Sequence, residues 1–233
     1  MKESLVTLKT RNNKQLLKFK ERIAQIKSKE IITSCLDKIS GEYRSYDPGW
    51  YLYHELNKKR DKLDIFSDDY IELIYVTLSS WNMNTRAAEL AEFNAFKRLL
   101  RKNKKLILSL GKYRIEKLTE AETEKVLGVL EQLFYNLKDL CYQRAKVVTF
   151  SKCLHFLLPN LIVPVDRAYT LAFFGKYDIP TESPKQFELY KNLFLAFVEL
   201  SHKYDLSKYL KNRWNENIPK VLDNIVIGYE MRH

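Results

Sequence analysis

The sequence predicts an all-α protein, and three observations support this class. Only 6 Gly and 6 Pro interrupt the 233 residues, whereas a multi-stranded sheet needs turn residues far more often. Apolar residues recur at alternating spacings of three and four in several segments, which is the period of an amphipathic helix. Hydrophobic residues make up 45% of the chain, enough for a folded core. We therefore expect a compact multi-helix domain, built as one unit or as two helical lobes with a cleft.

The N-terminal part of the chain predicts two helices. The first begins near Asn13 and has a basic outer face, and its apolar positions are Leu16, Phe19, Ile23 and Ile26. The second ends near Gly41, because Gly readily adopts the left-handed conformation that closes a helix. The turn segment SYDPGW follows. We therefore predict an N-terminal basic helical segment, residues 1–45, packed on a main helical domain, residues 46–233.

Two further helices are marked by the residues that start them. Ser67 is a good cap for a helix with acidic residues in its first turn, and this helix is predicted to stop near Trp81. Thr85 is predicted to begin the next helix, whose apolar positions continue through Leu100. That helix ends in the basic run RKNKK, where cations suit the negative end of the helix dipole.

The C-terminal half predicts two longer helices. Thr119 and Glu122 have the spacing of a capping box, and Ser183 followed by Pro184 opens the last long helix, because Pro is favoured in the first turn. Truncating a core residue of these elements to Ala should cost about 2 to 5 kcal/mol. The residues predicted to be buried are Leu130, Leu133, Phe150, Leu154, Leu157, Phe173, Phe194 and Phe197.

The charge balance favours an anionic partner. Lys and Arg number 40 and Asp and Glu number 29, which gives a net charge of +11. Nucleic acid is the commonest soluble partner for such a chain, and a merely well-solvated surface is the alternative. The cations that we predict to bind nucleic acid are Lys97, Arg98, Arg101, Lys102, Lys104, Lys105 and Arg167.

Several other classes of protein are disfavoured. The chain lacks an apolar run of about 18 residues and starts without a signal-peptide pattern, so we expect no membrane partner and a cytoplasmic location. Its three cysteines have no short-spaced pair, which argues against a disulfide framework or a cysteine zinc site. No histidine pair has metal-binding spacing. We therefore expect neither a metal nor a cofactor, and the oligomeric state stays open.

The segment VVTFSKCLHFLLPNLIVPVDRAYTLAFFG, residues 147–175, is the most informative. Its polar residues Ser151, Lys152 and His155 share one face of an apolar helix. Two prolines end that helix, and Asp166 then stands at the start of another. This arrangement predicts a catalytic set of Asp166, Lys152 and His155. A desolvated Lys can form a Schiff base, and a carboxylate can stabilise a developing cation or activate water.

Structural roles compete with that interpretation. Asp166 is well placed to cap its own helix, Lys152 can extend its charged end to solvent, and His155 can be a hydrogen-bonded core residue. A hydrolytic triad that includes Ser151 is disfavoured, because the strand-to-helix G-x-S-x-G motif is absent.

The stretch VPVDRAYTLAFFG resembles the part of helix-hairpin-helix DNA glycosylases in which a short loop delivers the catalytic Asp to the start of a helix. The resemblance implies that Asp166 is that Asp and that Lys152, 14 residues earlier, corresponds to the lysine of the bifunctional members. Those enzymes have a Gly-rich L-P-G-x-G hairpin just before the lysine, whereas this chain reads RAKVVTFSK. The resemblance covers fewer than about 30 residues.

A wider pattern is similar to an all-helical family of prokaryotic proteins that carries no assigned activity. The segments WNMNTRAAEL and IPKVLDNIVIGY carry it, together with residues 151–175. Amide and aromatic side chains in such segments can stack on and pair with a base, or they can cap helices. Trp81, Asn84 and Arg86 are further pocket candidates. A second polar and aromatic cluster contains Trp214, Asn215, Lys220, Asp223 and Asn224.

Three functional hypotheses follow. The first is a DNA-binding protein, in its specific form a degenerate or divergent DNA glycosylase. The second is a non-enzymatic protein-interaction or scaffold module. The third is a small-molecule or nucleotide-processing enzyme that uses a pocket at residues 151–166. A continuous basic face beside that pocket favours the first hypothesis, scattered charge favours the second, and a closed polar cavity favours the third.

Overall fold

The computed structural model describes residues 14–42, 47–83, 88–176, 178–210 and 214–232. Within these ranges the chain forms α-helices and no β-strand, which confirms the all-α prediction. The helices are α1 (Lys14–Ala24), α2 (Lys29–Glu42), α3 (Pro48–Arg60), α4 (Asp68–Leu78), α5 (Phe93–Lys102), α6 (Lys104–Leu110), α7 (Glu120–Leu137), α8 (Lys146–Leu157), α9 (Ser183–Lys203) and α10 (Ile218–Glu230). A kinked turn occupies Ser79–Met83, where Trp81 and Asn82 depart from helical backbone geometry, and a short π-helical turn occupies Arg167–Leu171.

Local capping explains where several helices begin. The Ser67 side chain accepts a hydrogen bond from the Tyr70 amide at the start of α4, and Thr119 and Glu122 form the predicted capping box of α7. Each cap satisfies an amide that has no partner inside the helix. These two predictions are therefore confirmed.

The helix predicted from Thr85 begins later than expected. Thr85 lies outside the described residues, and residues 88–92 are not helical. The Ala91 amide instead donates to the Leu140 carbonyl. The Glu92 side chain then accepts from the amides of Asn94 and Ala95, so α5 starts at Phe93. The apolar residues before Phe93 were wrongly assigned to a helix, because their partner is a distant segment of the chain.

A single hydrophobic core runs through the described residues, from Phe19 in α1 to Val226 in α10. All eight residues predicted to be core are buried. Helix α1 packs on α9, and α2 packs on α10. At the second contact, Gly228 is required because a Cβ there would overlap the Cys35 carbonyl. The N-terminal helices thus lie against the body, while the boundary predicted at residue 45 lies outside the described residues.

None of the described helices is long and apolar enough to cross a membrane.

Candidate functional site

A solvent-open cleft of about 280 Å³ lies where five parts of the chain meet. They are the start of α3, the turn after α4, the middle of α8, the link before Asp166 and α10. We call it the Trp81 cleft. Its lining residues are Asp47, Trp50, Ser80, Trp81, Asn82, Lys152, Pro164, Asp166, Tyr169, Lys220, Asp223 and Ile227. The cleft therefore combines aromatic rings with two lysines and three carboxylates.

Trp81 is held in place by the turn that ends α4. Asn82 adopts a left-handed conformation with φ of 61°, which Asn tolerates better than most residues. The indole Nε1 of Trp81 donates to the Gly49 carbonyl at 3.1 Å. A Cβ on Gly49 would come within 2.7 Å of the indole, so Gly at this position lets the ring approach α3. The ring also packs edge-on against Phe156.

Lys152 and Asp166 form the first charged pair of the cleft. Nζ of Lys152 lies 3.1 Å from Oδ2 of Asp166, and Lys152 is only 7% exposed. Oδ1 of Asp166 accepts from the amides of Ala168 and Tyr169, so Asp166 also caps its own helical turn. Burial alone would raise the pKa of Asp166, but the charge and hydrogen bonds of Lys152 and the two amides outweigh it and hold the pKa below its usual value. Asp166 is therefore ionised at neutral pH.

Lys220 and Asp223 form a second pair, one turn apart on α10. Nζ of Lys220 lies 2.6 Å from Oδ2 of Asp223, and the two residues are 5% and 4% exposed. Burial raises the pKa of Asp223 above its usual value, opposed by Lys220 and reinforced by the negative charge of Asp166. The two pairs thus have carboxyl groups whose pKa values move in opposite directions.

Both lysines lie near the face of Trp81. Nζ of Lys152 is 5.6 Å from the ring centroid and Nζ of Lys220 is 6.0 Å from it, distances at which a cation is attracted to an aromatic ring. Among the described lining residues, the three carboxylates of Asp47, Asp166 and Asp223 exceed the two lysines by one. The lining of the cleft therefore has no excess of positive charge with which to bind a phosphate group.

His155 and Ser151 do not line the cleft. Nδ1 of His155 lies 2.7 Å from the Ile162 carbonyl, which can only accept, so Nδ1 carries the proton. Nε2 then accepts from the Tyr53 hydroxyl at 2.8 Å. Burial lowers the pKa of His155 to about 3, and the Ile162 hydrogen bond opposes this. Ser151 accepts from the Val165 amide at 2.9 Å. The structure thus brings Asp166 to Lys152 but not to His155.

This buried network positions both charged pairs. Two hydrogen bonds hold the link that leads directly into Asp166: His155 donates to the Ile162 carbonyl, and the Val165 amide donates to the Ser151 hydroxyl. Tyr53 accepts a hydrogen bond from the Asn217 side chain at 3.1 Å, and Asn217 caps α10 through the Lys220 amide. Sequence reasoning missed Tyr53 and Asn217. The only available signal was that a buried histidine needs polar partners, which does not say which residues they are.

The basic cluster of α5 and α6 lies away from the cleft and is partly neutralised. Lys97 and Arg101 lie 3.0 and 2.8 Å from Oδ1 of Asp68, and Lys104 lies 3.2 Å from Asp64. Asp68 is the first residue of α4, whereas the Trp81 turn follows its last residue. Eleven helical residues separate these two ends by roughly 15 Å. Hence this cluster does not border the cleft.

The other predicted residues have varied positions. Arg98, Lys102 and Lys105 are exposed, as is Arg167, which directly follows Asp166. Asn84 and Arg86 lie outside the described residues. Within the C-terminal cluster, Asn224 donates to the Trp214 carbonyl and the Asn215 side chain, and Trp214 packs on Trp50 at 4.4 Å. Sequence reasoning also missed Trp50 and Tyr169: both lie in segments that it singled out, SYDPGW and VPVDRAYTLAFFG, but nothing in either segment indicates that these rings line the cleft.

The fold and this site define an all-α protein with an open aromatic cleft that holds two lysine–carboxylate pairs. No family model matches the chain, and neither a curated protein nor a solved structure matches it significantly. Among the described residues, no group of three or more His, Cys, Asp or Glu is arranged to hold a metal ion.

Proposed function

We propose that this protein binds DNA and accepts one unstacked nucleobase in the Trp81 cleft, as a divergent DNA glycosylase-like protein. The observation that carries the proposal is the Lys152–Asp166 pair, which opens into a cleft lined by aromatic rings. Lys152 and Asp166 are the two positions that the sequence resemblance to DNA glycosylases singles out. The aromatic rings of the Trp81 cleft are surfaces on which an extruded base can stack.

The aromatic side chains support base binding. Trp50, Trp81 and Tyr169 line the cleft, and stacking on such rings is worth about 1 to 3 kcal/mol per base. The cleft volume of about 280 Å³ is just under the range of roughly 300 to 1,000 Å³ for drug-sized ligands. A single flipped base fits this size better than a longer stretch of nucleic acid does.

The charges of the cleft support base release. A glycosidic bond that breaks leaves positive charge on the sugar, and an ionised carboxylate beside it stabilises that charge. Asp166 is such a carboxylate and borders the cleft. Because the lining has one more carboxylate than lysine, phosphates should stay outside. The exposed Arg98, Lys102, Lys105 and Arg167 are the residues that we assign to phosphates.

The first test is binding of duplex and single-stranded DNA across a salt series. If four cations contact phosphates, log affinity should fall with log salt at a slope of about −3 to −4. Quenching of Trp fluorescence should accompany binding, because Trp50 and Trp81 line the cleft. No binding at low salt, or binding that does not depend on salt, would contradict the proposal.

The second test is release of a free base from duplexes that carry mismatched or damaged bases. Asp166→Asn keeps a side-chain oxygen for the Ala168 and Tyr169 amides, and Asn caps a helix about as well as Asp. We expect lost base release with DNA binding retained. Thr181→Ala, an exposed position outside the cleft, is the matched control. If Asp166→Asn released the base at the wild-type rate, Asp166 would have no catalytic role in that reaction.

One observation favours the second candidate, a protein-interaction or scaffold module. Lys97, Arg101 and Lys104 form ion pairs with Asp64 and Asp68, and the basic cluster of α5 and α6 does not border the Trp81 cleft. This distribution of charge is the one expected of a scaffold, not a continuous basic face beside the cleft. The same titrations separate the candidates, since a scaffold predicts no DNA binding. A small-molecule enzyme using the cleft predicts instead that a free nucleoside binds and DNA does not.

A further inference from the structure

The two charged pairs of the Trp81 cleft differ in what surrounds their carboxyl groups. Asp166 uses Oδ1 for the Ala168 and Tyr169 amides and Oδ2 for Lys152. These two amides belong to the short helical turn that Asp166 caps, and their hydrogen bonds favour the negative charge of its carboxylate. A proton transferred from Lys152 to Asp166 would forfeit these interactions. Lys152 is therefore suited to hold Asp166 in place as an ammonium group.

Asp223 has a different environment. It is the sixth residue of α10, beyond the first-turn amides that stabilise a carboxylate, and it is 4% exposed. Its carboxylate receives the Lys220 ammonium at 2.6 Å, and burial raises its pKa. Asp223 can accept a proton from its lysine at a lower cost than Asp166 can. An amine freed in this way is nucleophilic.

We propose that Lys220 is the amine that forms an imine with an aldehyde bound in the Trp81 cleft, while Asp223 takes up and returns its proton. The geometry that carries this is the 2.6 Å contact of two buried groups, both of which line the cleft beside Trp81. This inference extends the proposed function by naming aldehydes as the substrate class. One such aldehyde is the ring-opened sugar that base release leaves in DNA, and for that substrate the inference rests on the proposed function. The imine chemistry itself does not depend on DNA.

The step balances without another reactant. The Lys220 ammonium passes one proton to the Asp223 carboxylate, and the free amine attacks the carbonyl carbon to form the C–N bond. The carbonyl electron pair moves to oxygen, which takes a proton from the nitrogen and then one from Asp223 and leaves as water. The products are a protonated imine on Lys220, one water molecule and an ionised Asp223.

The experiment traps the imine by reduction and locates it. The full chain is incubated with cyanoborohydride and either propionaldehyde or an oligonucleotide with one abasic site, then digested and mapped by mass spectrometry. We expect the reduced adduct on Lys220, with a yield that saturates as the aldehyde concentration rises. Exposed lysines such as Lys185 should label weakly and in proportion to concentration.

Variants test the assignment further. Lys220→Arg keeps a cation beside Asp223 and should reduce trapping at least tenfold. Asp223→Asn should slow trapping by about 10-fold or more, because a positioned proton carrier contributes on the order of 10²–10⁴. Lys185→Arg is the matched control and should trap like the wild type. Circular dichroism checks that each variant is folded, and the wild-type adduct map is decisive even where a variant does not fold.

The outcomes separate this inference from the proposed function. An adduct on Lys220 with propionaldehyde but none with the abasic oligonucleotide supports the imine site and contradicts DNA processing. An adduct of the abasic oligonucleotide on Lys152 supports DNA processing and overturns the assignment to Lys220. Labelling that never saturates at Lys220, or that avoids it with both probes, also overturns the assignment.

Discussion

The Tyr53 hydroxyl donates a 2.8 Å hydrogen bond to Nε2 of His155, a residue 102 positions away. The two rings lie nearly parallel, with an interplanar angle of 15°. Because His155 also donates to the Ile162 carbonyl, both of its nitrogens are used in the folded state. Its role is to join α3, α8 and the link before Asp166.

The first prediction is an acid sensitivity that comes from His155. Burial lowers its pKa from 6.5 to about 3, so the unfolded chain binds one more proton between these values. The contribution of His155 to the free energy of unfolding should therefore be fully present above pH 6.5. Between pH 6.5 and about 3 it should fall by about 1.4 kcal/mol per pH unit as the pH is lowered. Urea unfolding of His155→Gln should lack this component. His202→Gln, at an exposed position, is the control. An identical pH slope in wild type and His155→Gln would refute the prediction.

The second prediction concerns opposite pH dependences of Asp166 and Asp223. The pKa of Asp166 is lowered below 3.8, so its contribution to stability is present above pH 3.8 and lost as pH falls through the lower value. The pKa of Asp223 is raised above 3.8, so its contribution is present below pH 3.8 and lost as pH rises. Relative to wild type, Asp166→Asn should become more destabilising with rising pH, whereas Asp223→Asn should become less so. Unfolding curves from pH 2.5 to 7 measure both, and slopes of the same sign would show that one assignment is wrong.

The third prediction contrasts two helical glycines. A Cβ at Gly228 would overlap the Cys35 backbone, whereas one at Gly128 meets nothing within 4 Å. Gly228→Ala should destabilise the protein by about 1 to 3 kcal/mol or more, as overpacking does. Gly128→Ala should stabilise it by about 0.5 to 1 kcal/mol, because Ala is the better helix former. Thermal unfolding of both variants measures the difference. A well-tolerated Gly228→Ala would mean that α2 and α10 can separate.

The fourth prediction distinguishes the exposed cations of the basic cluster from those that pair with Asp68. Reversing Arg98, Lys102 and Lys105 to Glu should change stability by less than about 0.5 kcal/mol, because these side chains are exposed. It should weaken DNA binding about equally for all sequences and flatten the salt slope. Reversing Lys97 and Arg101 should instead destabilise the fold, since both lie beside Asp68. Unchanged DNA binding in the first variant would exclude those three residues from the interface.

The elements that follow from local chemistry were predictable. The capping box at Thr119 and Glu122 and the cap at Ser67 depend on residues three positions apart. Both partners of each interaction can therefore be recognised in a short stretch of sequence. The start of α5 was not predictable in the same way. Its preceding residues pair with the segment around Leu140, and no local pattern records a contact that distant.

The candidate site shows the same division. The sequence by itself determined the all-α class and the buried faces of the helices, and it singled out Lys152, His155 and Asp166 as candidates for one site without deciding which of them would pair. Tertiary structure alone decided that His155 turns to Tyr53 and that Lys220 and Asp223 share the cleft with Lys152. The physical reason is that a buried polar group must find a partner. The sequence shows which buried side chains need a hydrogen-bond partner, but only the packing of distant helices decides which residue becomes that partner.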